Sequence, residues 1–575
     1  MKKIFKERIE ALRRCLSQQG LSAIVIPSND PHFGEYVPDY YKTIEWLTGF
    51  TGESATLVVT LDDAALWLDS RFFVSGAAEL EGTGVRMMKL KVEGTPSITG
   101  WLSETLSCGD SVALDKDLFT YNEYLSYTQA LPTLCITLID DVFGTVRSDR
   151  PARVFNAVTV LDESVTGESV RSKHARIVEK IGSASRFAYI ITSLDESAWL
   201  LNIRGTDIEY NPLAQCYTVV TADSVDLFAN LEGISQKGRE QLEGQGVVLH
   251  RYDEFELFLT NLPASYDRIF SSGRISSRNY LAAMTCGKIH PDTSLCSTVA
   301  MMKAVKNPVE IEGFRKAYLE DAKAQTKLYR WIYDNIENHI TEYDVVRKLI
   351  EFRSESPDYL GESFQPIVAY GANAAQPHYA PTEMCHSEIK PEGFLLIDSG
   401  GQYTYGTTDT TRTLPVGPLT QEQIDDYTAV LKGMIDLSMA KFCKGTRGAQ
   451  LDILARGPVM ARGKMYWHGT GHGIGSHLCV HEGPQSIRME ENPVALLPGM
   501  VISNEPAIYV EGGYGIRHEN TILVKPDMTN RYGEFYAFET VTLLPFDMSA
   551  VNFDMLNQFE ISWLEEFNSR LANLR

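Results

Sequence analysis

Phe394-Leu395-Leu396-Ile397-Asp398-Ser399-Gly400-Gly401 opens a segment that continues through Thr407-Thr408-Asp409-Thr410-Thr411-Arg412-Thr413. A short apolar run that ends on an acid and two glycines reads as a buried strand closing on Asp398. Gly401 to Gly406 is turn material, and the threonine-rich return is β-prone. Paired as a hairpin, the two strands can bring Asp398 and Asp409 opposite one another on one face. The design recurs. Met500-Val501-Ile502-Ser503-Asn504-Glu505 runs into an acid, Gly512-Gly513-Tyr514-Gly515 turns, and Ile516-Arg517-His518-Glu519-Asn520-Thr521-Ile522-Leu523-Val524 returns with a second one.

Between the hairpins lies Trp467-His468-Gly469-Thr470-Gly471-His472-Gly473-Ile474-Gly475-Ser476-His477-Leu478-Cys479-Val480-His481-Glu482-Gly483-Pro484, which holds four of the chain's twelve histidines and five glycines. Glycine leaves room for backbone and imidazole to approach a ligand, and imidazole is both a metal ligand and an acid/base near neutral pH. Four carboxylates buried together without cations would be very costly. With an imidazole they suit two divalent ions about 3.5–4 Å apart, which lower the pKa of a shared water and polarise a carbonyl. Oxygen-rich ligation favours Mn²⁺ or similar ions over a thiolate-bound zinc.

Other catalytic patterns fail. His481-Glu482 lacks the second histidine of a zincin helix, and Met465 after Gly463-Lys464 breaks a phosphate-binding loop. The glycines at 469, 471, 473 and 475 lack dinucleotide-binding spacing, and no G-x-S-x-G elbow occurs.

At 575 residues the chain exceeds one ordinary domain, and its 44% hydrophobic and 22% charged composition is that of a folded, soluble protein. A net charge of −22 without a basic stripe excludes nucleic acid as a partner. The nine cysteines are scattered and form no CxxC, which points to reduced thiols in a cytoplasm. Residues 2–18 place Ile4, Phe5, Ile9, Leu12 and Leu16 at helical spacing among charges, an amphipathic helix rather than a signal peptide. No apolar run is long enough to span a membrane, so no membrane is expected as a partner.

Strands are expected at Leu21–Pro27, Ala55–Thr60 and Ala64–Asp69 in an α/β domain spanning residues 1–152. Arg71 sits just past the third, where loops often reach ligands. A second unit, 153–304, repeats this plan: Phe187 to Thr192 parallels Ile24 to Pro27, Trp199 to Gly205 parallels Trp46 to Gly52, and Tyr217 to Thr221 parallels Thr56 to Thr60. A third unit, 305–575, opens on a capping-box-like start at Asn307-Pro308-Val309-Glu310 and a stripe of Ile311, Phe314, Tyr318 and Ala322. Seven of the twelve histidines lie between His378 and His518.

In this order and these contexts, Asp398, Asp409, His472, Glu505 and Glu519 resemble the five ligands of the dinuclear pita-bread metallopeptidases, a group that includes methionine aminopeptidase, prolidase and aminopeptidase P. Asp398-Ser399-Gly400, Gly406-Thr407-Thr408-Asp409, His468-Gly469-Thr470-Gly471-His472-Gly473, Val480-His481-Glu482-Gly483-Pro484 and Gly515-Ile516-Arg517 are similar to the long, three-domain, cytosolic form of Xaa-Pro aminopeptidase. Asn202-Ile203-Arg204-Gly205-Thr206-Asp207-Ile208-Glu209-Tyr210-Asn211-Pro212 and Asp69-Ser70-Arg71-Phe72-Phe73 extend the resemblance through the second and first domains. It implies an α/β (α+β) chain: two duplicated creatinase-like α/β domains followed by a C-terminal pita-bread catalytic domain.

The resemblance also implies roles. Asp398 would bind one ion, Asp409 and Glu519 would bridge the two, and His472 and Glu505 would complete the second ion's coordination, with Glu505 the general base. His378 and His481 contact substrate and stabilise the oxyanion or shuttle protons, His468 lines the substrate pocket, and Arg71 and Arg517 contact the peptide. Two divalent ions per subunit are expected, Mn²⁺ ahead of Zn²⁺ or Co²⁺. Expected partners are peptides with a free N-terminus and proline second, and a second copy of the chain as a homodimer. The sequence departs from the pattern at His518, read as lying behind or outside the metal face, and at Ala507-Ile508, read as altering the pocket rim; His477 is read as structural or exposed. The leading expectation is a metal-dependent aminopeptidase that hydrolyses the N-terminal Xaa-Pro bond. The alternatives are a prolidase restricted to Xaa-Pro dipeptides and a non-catalytic pita-bread binding module.

Overall fold

The computed structural model describes residues 2–182, 186–262, 266–271, 274–285, 289–291 and 297–572; Cys286 and Cys296 lie outside these. The chain forms two units, one of residues 1–161, 168–209 and 213–299, the other of 162–167, 210–212 and 300–575.

The first unit contains the duplication. In one six-stranded sheet, Arg86–Lys89, Ala64–Leu68, Ala55–Thr60, Ala23–Pro27, Ser111–Asp115 and Cys135–Ile139 lie side by side. In the other, Val247–Arg251, Val225–Ala229, Cys216–Thr221, Phe187–Ile191, Arg268–Ser271 and Ile289–Pro291 take the same order. Each first strand pairs antiparallel with the next strand of its own sheet and parallel with the fifth, so both neighbours are covered and the run is apolar throughout. Helix Lys2–Gln18 lays Ile9, Leu12 and Leu16 on the first sheet, while Ile4 remains 44% exposed, outside the stripe expected for it. The aligned tryptophans sit on corresponding helices, Thr43–Thr48 closed by Gly49 at φ 77° and Leu194–Leu201 closed by Asn202 at φ 53°. Asparagine is the residue besides glycine that takes a left-handed cap at low cost.

The second unit begins its long helix, Pro308–Asn335, as the capping pattern requires: Asn307 accepts from the Val309 and Glu310 backbone, and Glu310 returns a bond. Phe314 and Tyr318 are buried, while Ile311 and Ala322 are only half-buried. Leu395 and Ile397 pack with this helix and with Glu342–Arg353. Side chains alternate along a strand, so Asp398 emerges on the opposite face. A six-stranded sheet, Lys441–Cys443, Gly533–Thr540, Asn520–Asn530, Val501–Asn504, Gly471–Gly473 and Glu482–Ile487, carries His472 and, at the ends of two of its strands, Glu505 and Glu519. Helices Gln421–Ser438 and Gly448–Ala461 cross where Gly433 meets the Ala455 backbone, too close for any Cβ.

The hairpin at Asp398 is more elaborate than a single turn. Residues 401–407 form their own small strand pair, which joins Tyr359–Glu362 in a three-stranded sheet. Among the described residues, no helix is long and apolar enough to cross a membrane, and the cysteines at 15, 108, 135, 216, 385, 443 and 479 form no disulfide.

Candidate active site

Asp398 faces Thr411 across the strand pair, not Asp409. Asp409 lies two residues before Thr411 on the same face, so the two acids are diagonal neighbours rather than directly opposed. In the second hairpin the register is the same on both sides of a gap: Asn504 faces Asn520 and Ala507 faces Arg517. Glu505 and Glu519 therefore stand opposite each other in the gap, where Pro506 has no N–H to continue the ladder. Their own N–H groups go elsewhere, Glu505 to the Thr470 carbonyl at 2.8 Å and Glu519 to the Thr411 carbonyl at 3.1 Å. The break thus ties one hairpin to the histidine stretch and to the other hairpin.

His472 is carried on the short strand Gly471–Gly473, squeezed between its neighbours. A Cβ at Gly471 would collide with the Ser503 carbonyl oxygen and one at Gly473 with that of Glu482. Its Nδ1 meets the Gly473 carbonyl at 3.0 Å, and with Nδ1 as the N–H donor Nε2 is the ring's acceptor atom. Nε2 lies 3.4 Å from Asp409 Oδ2 and 3.4 Å from Glu505 Oε1. One ligand atom each from Asp409, His472 and Glu519 falls within 4.8 Å of the others.

The donor set fits divalent cations. Asp398 Oδ1 and Glu519 Oε1 are buried acceptors with no hydrogen-bond partner. Burial, then the charges of Glu519 and Asp398, pushes the Asp409 carboxyl well up. Glu519 is raised by burial and by Glu505, and Glu505 by burial and by Asp409. A group of acids that raise one another and leave oxygens unpaired is what bound cations would relieve.

Neighbouring side chains aim these carboxylates. Thr411 Oγ1 donates to Glu519 Oε2 at 2.9 Å and Ser503 Oγ to Glu505 Oε1 at 3.2 Å. The Tyr318 hydroxyl takes the Asp409 N–H at 3.0 Å. Arg353, fully buried and paired with Asp321 at 2.8 Å, donates to Ser399 Oγ and the Gly400 carbonyl, while Asp321 also accepts from Thr408. That one network braces both flanks of the Asp398–Asp409 turn.

Arg517, expected at the peptide, points its guanidinium inward: Nη2 holds Asp398 Oδ2 at 2.6 Å and Nη1 the Tyr509 hydroxyl at 2.6 Å. Tyr509 in turn meets His468 Nε2 at 3.0 Å. Burial, then Arg517, pushes His468 down to about 3, so it is neutral at physiological pH. His481 meets the His472 ring edge-on, centroids 4.5 Å apart. His378 lies on the loop after the 3-10 turn Gly371–Ala375. His477 is buried at φ 48°, a structural placement. His518 is buried against Tyr427 and Phe546, with neither ring nitrogen hydrogen-bonded. Ala507 and Ile508 are core residues rather than rim residues, packed with Phe394 and Tyr427. Arg71 belongs to the first unit, where Asp69 at 2.8 Å and Glu53 at 3.3 Å hold it. Thr411 stood in plain view inside the quoted stretch; Tyr509, Arg353 and Asp321 carried no local signal, because their neighbours come from distant segments.

Residues 312–526 match the model of metallopeptidase family M24, 8–148 and 149–310 two models of the creatinase/prolidase N-terminal domain, and 534–574 the C-terminal region of peptidase M24. "Xaa-Pro aminopeptidase 1" of Dictyostelium discoideum is 35% identical, covering 98% of this chain and 92% of that one. The chain belongs to the Xaa-Pro aminopeptidase family of M24 metallopeptidases. "Aminopeptidase P2" of Arabidopsis thaliana, at 31% identity, covers 99% of this family member and 86% of its own length. An X-prolyl aminopeptidase structure from Caenorhabditis elegans, described as a cytosolic enzyme with a di-nuclear active site, superposes with a TM-score of 0.93 at 30% identity, covering 100% and 96% of the two chains. A Xaa-Pro dipeptidase from Bacillus anthracis matches only 66% of this chain, with a TM-score of 0.54 at 22% identity, which is likeness of fold alone.

Proposed function

We propose that the chain is a metal-dependent aminopeptidase that removes the first residue from peptides with proline second. The observation that carries this reading is the cluster of four carboxylates and His472, with the Asp398 Oδ1 and Glu519 Oε1 oxygens unpaired. Asp398, Asp409, His472, Glu505 and Glu519 would hold two divalent ions, Mn²⁺ ahead of Zn²⁺ or Co²⁺. Such ions, when bound, supply an acidified water and polarise the scissile carbonyl. Glu505 takes one proton from the attacking water as its oxygen bonds to the carbonyl carbon and charge moves to the carbonyl oxygen, and then passes that proton to the prolyl nitrogen as the C–N bond breaks. His378 and His481 donate toward the oxygen on which charge develops. Neutral His468, fixed by Tyr509, lines the pocket. Arg517 holds Asp398 in place and so acts on substrate indirectly, while Arg71 is assigned to the peptide on family resemblance alone.

The aminopeptidase reading over the dipeptidase one is supported by the relatives named Xaa-Pro aminopeptidase, which align along 98% of this chain, both front domains included. The complete ligand set argues against a binding module. A cytoplasmic location and a homodimer belong to the same reading, supported by the cytosolic relative and by family resemblance. The test is release of arginine from Arg-Pro-Pro with Mn²⁺, compared with an Xaa-Pro dipeptide and a matched Xaa-Ala tripeptide. No release from the tripeptide overturns the reading, and cleavage of dipeptides alone favours a prolidase.

A further inference from the structure

His378 stands on a stretch with no helix or strand between the 3-10 turn Gly371–Ala375 and the strand Phe394–Ser399. A segment without a hydrogen-bond ladder needs another device to hold a side chain still. That device is Glu342, at the first turn of helix Glu342–Arg353 and 0% exposed. Its Oε1 accepts from the Tyr370 N–H at 2.7 Å and from Asn373 Nδ2 at 3.0 Å. Its Oε2 accepts from the Ser387 N–H at 2.6 Å and the Tyr379 hydroxyl at 2.7 Å. The Glu342 N–H returns a bond to the Ser387 carbonyl at 3.0 Å.

One buried anion therefore gathers the beginning, middle and end of the stretch from 370 to 387. Hydrogen bonds to a carboxylate are stronger than those between neutral groups. Tyr379 is the residue next to His378. Its ring packs on the cluster that includes Leu396 and Val480, the latter adjacent to His481. With the ring seated there and the hydroxyl on Glu342, both ends of Tyr379 are fixed. The backbone of His378 has little freedom left.

We infer that Glu342 is a positioning residue for His378, acting through the Tyr379 hydroxyl and the loop it clamps. This rests on the reading that His378 serves the reacting carbonyl. Nothing in the clamp contacts the proposed metal ligands directly, so its loss should move chemistry without emptying the metal site.

The experiment is a double-mutant cycle in the Mn²⁺-loaded, full-length protein on Arg-Pro-Pro. Glu342→Gln and Tyr379→Phe are each measured alone and together with His378→Ala. Each single change is expected to lower kcat about 10-fold with KM nearly unchanged, since small misplacements of a reacting group carry such factors. His378→Ala alone should lower kcat by about 100-fold or more. In the His378→Ala background, either clamp mutation should cost less than about 2-fold, because the residue it positions is gone. The same factor in both backgrounds overturns the inference. If His378→Ala lowers kcat but neither clamp mutation does, the Glu342 inference alone fails; if His378→Ala is silent, the His378 reading fails and takes the inference with it. Tyr379→Phe keeps the ring and three of the carboxylate's donors, so it decides the matter should Glu342→Gln not fold.

Discussion

Arg517 holds Asp398 through Nη2 and Oδ2 at 2.6 Å, while Asp398 Oδ1 is left buried and unpartnered. One oxygen is anchored by a permanent cation, and the other is the one that the proposed metal ion would take. Burial works against the Arg517 charge, yet Tyr509, Asp398 and Glu505 together hold its guanidinium above the ordinary range. Arg517→Lys keeps the charge but cannot reach Asp398 and Tyr509 with a planar fork. It should lower kcat/KM by about 100-fold while the protein remains folded. Circular dichroism and steady-state kinetics check this; activity within about 2-fold of the parent removes the arginine's assigned role.

Glu505→Gln keeps the shape of the side chain and its place opposite Glu519. As the loss of a general base, it should lower kcat by a factor of about 100 to 10,000. Metal content is determined on the same sample, because Glu505 is also a proposed ligand. Full metal with near-normal turnover would show that another group takes the proton.

Removing the ions with a chelator should lower the melting temperature. A ligand present at 100 times its Kd stabilises by about 2.7 kcal/mol, and here it also separates carboxylates that otherwise repel. Calorimetry before and after chelation, with Mn²⁺ restored at the end, tests this. An unchanged melting temperature would mean that the acid cluster holds no ion in the starting protein.

Lys303 and Lys306 both close on Glu482, at 2.7 and 2.6 Å, with all three side chains at most 1% exposed. Glu482→Gln leaves two buried ammonium groups without their shared anion. Breaking such a group typically costs about 3–5 kcal/mol. Denaturant titration should register a loss of that order, and a change below about 1 kcal/mol would mean the lysines find water or another acid.

Asp115, in the first unit, is pushed up to about 7 by burial. Below pH about 4 it is protonated folded or unfolded. Between there and pH 7 the fold keeps a proton that the unfolded chain has released, so stability falls as pH rises. The total loss is on the order of 4 kcal/mol. Asp115→Asn should therefore gain on the parent protein between pH 5 and pH 8. Melting curves of both at the two pH values decide, and parallel pH profiles would sink the idea.

Much of the fold was legible because it rests on local patterns. The capping start at Asn307, the amphipathic helix after Lys2 and the repeat linking Trp46 to Trp199 all appear as read, since caps and periodicity depend on near neighbours. Diagonal rather than direct placement of Asp398 and Asp409 was not legible, because register depends on how residues 401–407 fold into a strand pair of their own. The Ala507-Ile508 departure looked like a rim feature and is core, since only packing decides which face of a short strand is covered.

The sequence alone offered Asp398, Asp409, Glu505 and Glu519 as candidate ligands, because each lies on or beside a β-run whose chemistry is local, while His472 was singled out among its neighbouring histidines only by the family resemblance. Their arrangement was decided by tertiary structure. Glu505 and Glu519 meet because Pro506 interrupts a ladder, and their N–H groups bind Thr470 and Thr411 from other segments. Arg517, Tyr509, Arg353 and Glu342 take their roles from partners 8 to 119 positions away. No spacing rule encodes such contacts: they arise only when separate elements pack, and buried charges must then find partners.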